Sequence, residues 1–361
     1  MYLSENIFGI DGLHDIGTVF FLIAIISLSM KKFMNKNNWT VSVNHCLKIV
    51  SHSRMILLGF YTFDLYDDEG VPILRITDIQ KKYSALDGAL GSWRLFKHIH
   101  IVACSPRSGT TLLHEAMVTC FRTNKHYDHE IRFHLVTAKN NDVVITKRPK
   151  DTLYMPGVID DPNLYVIYVT RDPRDVIVSR HGKSEDMYYS NIRLWRELHA
   201  CARPLFGHDR FLNIRYEDFV NNPDATQSQI TAKFPWLEKQ HKFSEYHEQA
   251  QVSEKSKVAM RGVRPIGPTS VGVWRKHLGR IVQQQAIHGT MTPDLVGCGY
   301  ESSPDWEVVL DGILPDKSNS WYPEKKRFWQ RISQPIDASR KIAIYRRKKG
   351  LSRISRATND R

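Results

Sequence analysis

The chain has 361 residues, of which 42% are apolar and 25% charged, a globular composition with enough length to bury a core. The formal net charge of +13 predicts an anionic partner, such as a nucleotide, nucleic acid, an acidic glycan or a membrane surface. The five cysteines are scattered without a C-x-x-C pair, which argues against a zinc site or a disulfide framework and favours a reducing compartment.

The first candidate element is an uncharged run of fifteen residues, 16–30, followed by Lys31, Lys32 and Lys36. The run is shorter than the about 20 apolar residues of a membrane span, and its charges follow it, unlike those of a signal peptide. Two interpretations stay open: membrane attachment with the rest of the chain in the cytoplasm, or a buried or interfacial helix, the buried one in a soluble cytoplasmic protein. Residues 1–36 are therefore a possible membrane anchor.

Residues 37–95 form an N-terminal extension in which MILLGFYTFDLYDDEGVPILRIT predicts a strand pair turning at residues 68–70. From residue 98 onward, strand and helix patterns alternate. The predicted strands are HIHIVA, DVVITK, LYVIYVT and RFLNIRY, and the predicted helices are TTLLHEAMVTC, DPRDVIVSR and DMYYSNIRLWRELHACARPLF. This order predicts an α/β domain over residues 96–303, with a mostly parallel central sheet flanked by helices.

Residues 304–361 form a basic C-terminal tail. Between residues 340 and 361, nine Lys or Arg stand against one acid, Asp360. We expect the end of the chain, from residue 340 onward, to be solvated and partly disordered. Because it lacks interleaved aromatic residues, we predict no nucleic-acid partner.

A phosphate-binding turn is predicted in CSPRSGTTLLHEAM, residues 104–117, directly after the first strand. A turn that enters a helix points unpaired backbone N–H groups and the positive end of the helix dipole at one place, which stabilises an anion there. Arg107 and the hydroxyls of Ser108, Thr110 and Thr111 would add donors.

The turn departs from the nucleotide-binding P-loop G-x-x-x-x-G-K-[ST]. Thr110 stands where the P-loop Lys would be, and Cys104 stands at the position of the first Gly. A kinase-like phosphotransferase is therefore less favoured but stays open. So do an ordinary strand-to-helix turn and a non-catalytic nucleotide-binding protein of the same fold.

The second informative stretch is VIYVTRDPRDVIVSRHGKS, residues 166–184. Beside PRSGTT at 106–111, it resembles the two nucleotide-binding signatures of the sulfotransferases that use 3′-phosphoadenosine 5′-phosphosulfate (PAPS). Weaker similarities are KRP at 147–149, RYEDF at 215–219, and VGVWRKHLG followed by a helix and CGY up to residue 300. The closest similarity is to the carbohydrate and tyrosylprotein branches. The resemblance covers about residues 100–300.

The resemblance implies a P-loop-like turn for the 5′-phosphosulfate, formed by Pro106, Arg107, Ser108, Gly109, Thr110 and Thr111. It implies that Arg171 and Ser179 bind the 3′-phosphate. If a helix begins near Pro173, Ser179 lies two turns along it and Lys183 one turn further. The alternative for Arg171 and Arg174 is local ion pairing with Asp172 and Asp175.

The resemblance also places Tyr216, at the end of the last strand, and Ser270, in a loop over the cofactor, near the nucleotide. Sulfuryl transfer requires stabilisation of the leaving oxygen, a role we assign to Lys147. It also requires a base for the acceptor hydroxyl. Glu130, in E-x-R context, resembles the base of the tyrosylprotein branch and is our first candidate, with His129 second; the alternative is that both are solvated loop charges.

Together, these patterns predict a PAPS-dependent sulfotransferase without a metal, which moves a sulfuryl group to a hydroxyl of a large acceptor. The acceptor we expect is a carbohydrate, with protein tyrosine and lipid as alternatives. The lack of a P-loop Lys and of an evident magnesium-holding acid is consistent with a site that needs no metal.

Overall fold

The computed structural model describes residues 64–66, 72–75, 96–181 and 184–351 of the chain. The chain forms two compact units, Met1–Ala85 and Leu86–Arg361. In the first unit, β1 (Asp64–Tyr66) and β2 (Pro72–Arg75) pair antiparallel, with Leu65 opposite Leu74. The predicted strand pair is therefore confirmed, while its predicted turn at 68–70 lies outside the described residues.

The second unit is built on a five-stranded sheet in which every neighbouring pair of strands is parallel. The strands, in the order β4-β5-β3-β6-β9 across the sheet, are β3 (Lys97–Ala103), β4 (Lys125–His126), β5 (Val143–Lys147), β6 (Leu164–Thr170) and β9 (Phe211–Arg215). Both faces are buried, because Ile99 and Ile101 of β3 pack into one core and Val102 into the other. The predicted α/β class with a parallel central sheet is confirmed.

Helices cover both faces of this sheet. Within the described residues they are α1 (Thr110–Cys120), α2 (Pro173–Ile177), α3 (Ile192–Ala202), α4 (Tyr216–Asn221), α5 (Pro223–Lys233), α6 (Tyr246–Gln249), α7 (Glu254–Met260), α8 (Leu278–His288), α9 (Thr292–Gly297) and α10 (Phe328–Lys349). Longer connections contain 3-10 helices at Pro149–Gly157, Val273–Lys276 and Pro304–Leu310. The carboxyl ends of β3, β5, β6 and β9 meet at one edge, where ligands of such sheets bind.

The predicted helix after residue 172 is wrong beyond Ile177. α2 ends there, and a small antiparallel pair follows, β7 (Arg180–His181) with β8 (Ser184–Tyr188). The backbone N–H of Tyr189 donates to the Ser179 carbonyl at 2.8 Å, so this segment pairs with the returning chain instead of continuing the helix. Ser179 therefore lies beyond α2, and the helix predicted over 186–206 begins only at Ile192, capped by Asn191.

Residues 328–349 form α10, so the prediction of a solvated end is wrong for residues 340–349. Tyr345 is buried in the core, and its hydroxyl donates to the Asp161 carboxylate at 2.6 Å. The Lys349 ammonium lies 3.6 Å from the same carboxylate and 4.1 Å from the ring centre of Phe96. Between the basic residues of this segment, Ile342 and Tyr345 stand at helical spacing and form an apolar face that packs against the domain.

No helix within the described ranges is long and apolar enough to cross a membrane. The apolar run at 16–30 lies outside those ranges, so its membrane attachment stays a prediction.

Candidate active site

The predicted phosphate-binding turn connects β3 to α1 through residues 104–109, called here the first loop. Gly109 has a φ of +87° and lies against Tyr216, whose ring a Cβ at this position would overlap. The Ser108 hydroxyl donates to the Ser105 carbonyl at 2.8 Å and fixes the turn from inside. Thr110 is the first residue of α1, so the free N–H groups of this helix open onto the loop.

Arg107 joins the first loop to the second predicted motif. Its backbone adopts a φ of +73°, and its side-chain Nε donates to Ser179 Oγ at 2.9 Å. The carbonyl of Arg107 accepts a hydrogen bond from Arg171 Nη1, also at 2.9 Å. The two motifs, which are far apart in sequence, therefore form one site.

Arg171 follows β6 and is 8% exposed. Its guanidinium donates to the backbone carbonyls of Arg107 and Ser270 and stacks on the Tyr216 ring at 4.2 Å from the ring centre. Its Nε is buried and has no hydrogen-bond partner among the described residues. The Arg171 guanidinium is therefore fixed through Nη1 and Nη2, while its Nε stays unpaired among the described residues.

The alternative of local ion pairing holds for Arg174 but not for Arg171. Arg174 Nη2 lies 2.8 Å from Asp172, and its Nη1 lies 2.6 Å from Glu301. Asp175 accepts hydrogen bonds from the backbone N–H groups of Gly272 and Trp274. Asp175 therefore anchors the loop that carries Ser270.

The first loop, Arg171, Ser179, Tyr216 and the Ser270 carbonyl are thus brought together. The Ser270 contact is made by its backbone, which the sequence could not predict. Tyr216 is the first residue of α4 instead of the last of the strand, because β9 ends at Arg215. Lys183 lies outside the described residues.

Lys147 is the last residue of β5 and is 4% exposed. Burial lowers its pKa, while the charges of Glu115 and Glu130 oppose this effect. Its Nζ lies 4.0 Å from Glu115 Oε1. Glu115 was not predicted as a site residue, and its one signal in the sequence is that it is the single acid of this helix.

Glu130 and His129 lie in the loop after β4, and both are exposed. The protein atoms around Glu130 nevertheless remove part of its hydration and raise the pKa of its carboxyl, against the charges of Arg148 and Lys147. Glu130 therefore lies within electrostatic reach of Lys147. The His129 ring packs edge-on against Tyr127, with ring centres 6.3 Å apart.

An aromatic pair and a lysine lie on the Glu130 side of the site. The rings of Tyr189 and Tyr322 are 5.8 Å apart, and the Lys150 ammonium lies 4.7 Å from the Tyr322 ring centre. The side-chain amide of Asn191 donates to the Tyr322 carbonyl at 2.8 Å and holds this segment in place. Glu130 acts electrostatically on both tyrosine hydroxyls and raises their pKa values, in addition to the effect of burial.

Within the described part of the chain, no group of three or more His, Cys, Asp or Glu side chains could hold a metal ion. The donors around the first loop are instead backbone amides, hydroxyls and guanidinium groups. Such donors bind phosphate and sulfate oxygens directly.

Comparison with solved structures gave matches of low identity. A sulfotransferase domain from the curacin biosynthetic pathway is 15% identical, with a TM-score of 0.31, over 51% of this chain and 98% of that one. The sulfotransferase domain of the Synechococcus PCC 7002 olefin synthase is 17% identical, with a TM-score of 0.34, over 50% and 88%. Retinol dehydratase, in complex with androsterone and the inactive cofactor PAP, is 12% identical, with a TM-score of 0.25, over 71% and 82%.

No curated protein sequence matches the chain. Residues 137–236 match the family model described as "Sulfotransferase family". The matched region includes Lys147, Arg171, Ser179 and Tyr216, whereas the first loop and Glu130 precede it. This region of the chain is therefore similar to the sulfotransferase family, in agreement with the resemblance of the two predicted signatures, which meet in one site.

Proposed function

We propose that the protein transfers a sulfuryl group from PAPS to a hydroxyl of a glycan or another large acceptor. The observation that carries this proposal is the junction of the two motifs. Arg107 donates to Ser179 and accepts from Arg171, so groups suited to the two ends of one nucleotide bisphosphate lie side by side.

The donor would bind across this junction. Arg107, the α1 N-terminus and the hydroxyls of Ser108, Thr110 and Thr111 would bind the 5′-phosphosulfate. Arg171 would bind the 3′-phosphate through its free Nε, with Ser179 beside it. Tyr216 and Ser270 hold the Arg171 guanidinium in place. We expect Lys183 and Pro106 to complete the donor-binding site.

Transfer would follow an in-line path. The acceptor oxygen forms the new bond to sulfur while the bond between sulfur and the 5′-phosphate oxygen breaks. The acceptor proton passes to Glu130, and the electron pair of the broken bond stays on the phosphate oxygen, where the Lys147 ammonium stabilises it. The charge of Glu130 acts on Lys147, so the two groups share one electrostatic environment.

A charged, ring-bearing acceptor fits the Glu130 side of the site best. Tyr189 and Tyr322 offer aromatic faces and hydroxyls, and Lys150 offers a cation above one of these faces. Aromatic faces stack on sugar rings, and a lysine beside them binds a carboxylate or sulfate group. These features support an acidic glycan over a neutral lipid.

Calorimetric titration of the full chain tests this function. We expect adenosine 3′,5′-bisphosphate to bind at least about tenfold more tightly than 5′-AMP, because the 3′-phosphate adds a charge-assisted contact. Tight binding of ATP with magnesium and weak binding of the bisphosphate would instead support a kinase-like phosphotransferase.

A further inference from the structure

Glu115 is a buried carboxylate that the proposed transfer does not use. It lies on α1, six residues after Gly109, and is 4% exposed. Its Oε1 accepts from the Ser256 hydroxyl at 2.8 Å and faces His114 Nδ1 at 3.2 Å, with Lys147 Nζ at 4.0 Å. A buried charge is costly unless it is paired and hydrogen-bonded, and each of these contacts supplies a partner.

The charges around this cluster favour Lys147 as the cation beside Glu115. Burial lowers the pKa of His114, so its ring is neutral at pH 7 and donates from Nδ1 to the carboxylate. Burial alone would raise the pKa of Glu115, but His114, Ser256 and Lys147 together bring it below its usual range. Glu115 is therefore ionised at neutral pH.

The remaining titratable groups near this pair are few. Glu130 acts on Lys147 from the loop after β4, His126 acts on His114 from β4, and Tyr246 of α6 is affected by Glu115. Burial raises the pKa of Tyr246, so it stays neutral. Of the two carboxylates that act on Lys147, Glu115 is buried and fixed, whereas Glu130 is exposed and would exchange its proton during transfer.

Ser256 connects this cluster to the loop over the site. It lies on α7, is buried, and precedes the segment that carries Ser270, whose carbonyl accepts from Arg171. The Glu115 carboxylate therefore contacts both Lys147, at the end of β5, and α7. This helix precedes the loop whose Ser270 carbonyl accepts a hydrogen bond from Arg171.

We propose that Glu115, held by Ser256, is a positioning residue that keeps Lys147 protonated at the end of β5 for sulfuryl transfer. The inference rests on the proposed function, since it gives a reason for the position of a residue that stabilises the leaving oxygen. A buried lysine without a fixed anion beside it loses its proton at lower pH, and a neutral amine stabilises a leaving anion poorly.

The Lys147 pKa can be measured directly in the full chain. Lysines are reductively methylated with ¹³C-formaldehyde and titrated by NMR, and the Lys147 signal is assigned by its loss in Lys147→Arg. We expect Glu115→Gln to lower the Lys147 pKa by about one unit or more, since an opposite charge at this distance has that effect. Glu254→Gln, which removes an exposed carboxylate from α7, is the matched control and should leave it unchanged.

The release of bisphosphate from PAPS in water then tests the catalytic consequence. In Glu115→Gln, the alkaline limb of the pH–rate profile should move to lower pH by the same amount as the Lys147 pKa. In the double variant with Lys147→Arg, Glu115→Gln should not move this limb, because Arg keeps its charge. Glu115→Asp should give a smaller shift and replaces Glu115→Gln if that variant does not fold.

An unchanged Lys147 pKa in a chain that binds the bisphosphate would overturn the inference while the proposed function stands. If Glu115→Gln moves the alkaline limb of the pH–rate profile equally in the Lys147→Arg background, the inference is also overturned, because a group other than Lys147 would then titrate in that limb. A wild-type chain that binds no bisphosphate would contradict the proposed function instead.

Discussion

The two halves of the site are built differently. What we propose as the donor half, with Arg107, Arg171, Ser179 and Tyr216, is closed by hydrogen bonds between buried or half-buried groups. The acceptor half around Glu130 consists of an exposed carboxylate, two half-buried tyrosines and a lysine on a ring. On the proposed assignment, the protein would be preorganised for the donor and adaptable toward the acceptor.

The largest effect is expected at Glu130, in the acceptor half of the site. Glu130→Gln keeps the shape of the side chain and removes the proton acceptor. Turnover should fall by about 10² to 10⁴, the usual contribution of a general base, while bisphosphate affinity measured by calorimetry stays the same.

His129→Ala is the neighbouring control for this measurement. If His129→Ala abolishes transfer and Glu130→Gln does not, the base is His129. Normal turnover in both variants would remove the base from this loop altogether.

The rigidity of the donor half is tested at Gly109, where we expect the next largest effect. Gly109 and Gly207 have nearly equal φ values, +87° and +88°, but a Cβ meets Tyr216 at the first position and nothing within 4 Å at the second. Gly207→Ala should lower the free energy of unfolding by about 1–2 kcal/mol from backbone strain. Gly109→Ala should lower it by about 1–3 kcal/mol more, because the new methyl group overlaps the Tyr216 ring.

Chemical denaturation of both variants measures this difference. Equal losses of stability would mean that the close approach of Tyr216 to the first loop contributes nothing.

The ligand preference of the donor half depends on Arg171. Arg171→Ala should remove most of the preference for adenosine 3′,5′-bisphosphate over 5′-AMP, a loss of about 1.5–3 kcal/mol. Arg122→Ala is the matched control, because Arg122 is exposed and forms a surface ion pair with Glu238, which contributes little to stability. A preference that survives in Arg171→Ala would assign the 3′-phosphate to another residue.

The smallest expected effect concerns the pH dependence of the rate, which depends on the charges around Glu130. If Glu130 is the base, transfer needs its ionised form. Partial loss of hydration raises its pKa, so activity should be lost as the pH falls through a value above that of an ordinary glutamate. Arg148→Gln removes the charge that most opposes this rise and should move the acid limb of the rate upward by less than about one pH unit. An acid limb that moves downward would mean that Glu130 is not the group that titrates.

The sequence predicted the sheet well because buried parallel strands are near-continuous apolar runs. LYVIYVT coincides with β6, and TTLLHEAMVTC coincides with α1. It failed at residues 178–191, where Tyr188 belongs to a strand that pairs with the chain leaving α2. Local helix patterns cannot reveal such a long-range competitor.

Much of the donor half could also be predicted, since its residues stand at strand ends in recognisable motifs. The carbonyl of Ser270 and the Glu115 carboxylate could not. A backbone acceptor has no residue-type signal, and a buried acid on a helix is recognised only when Lys147 and Ser256 are seen beside it.

The buried contact of α10 has a consequence for how the chain is completed during synthesis. Asp161 lies beside the central sheet, yet its carboxylate is satisfied by Tyr345 and Lys349, which are translated much later. All five strands of the sheet leave the ribosome while this acid still lacks these two partners and the apolar surface around it is uncovered. Until α10 emerges, the nascent domain therefore exposes this apolar surface, and a ribosome stalled before residue 345 would hold an intermediate prone to aggregation.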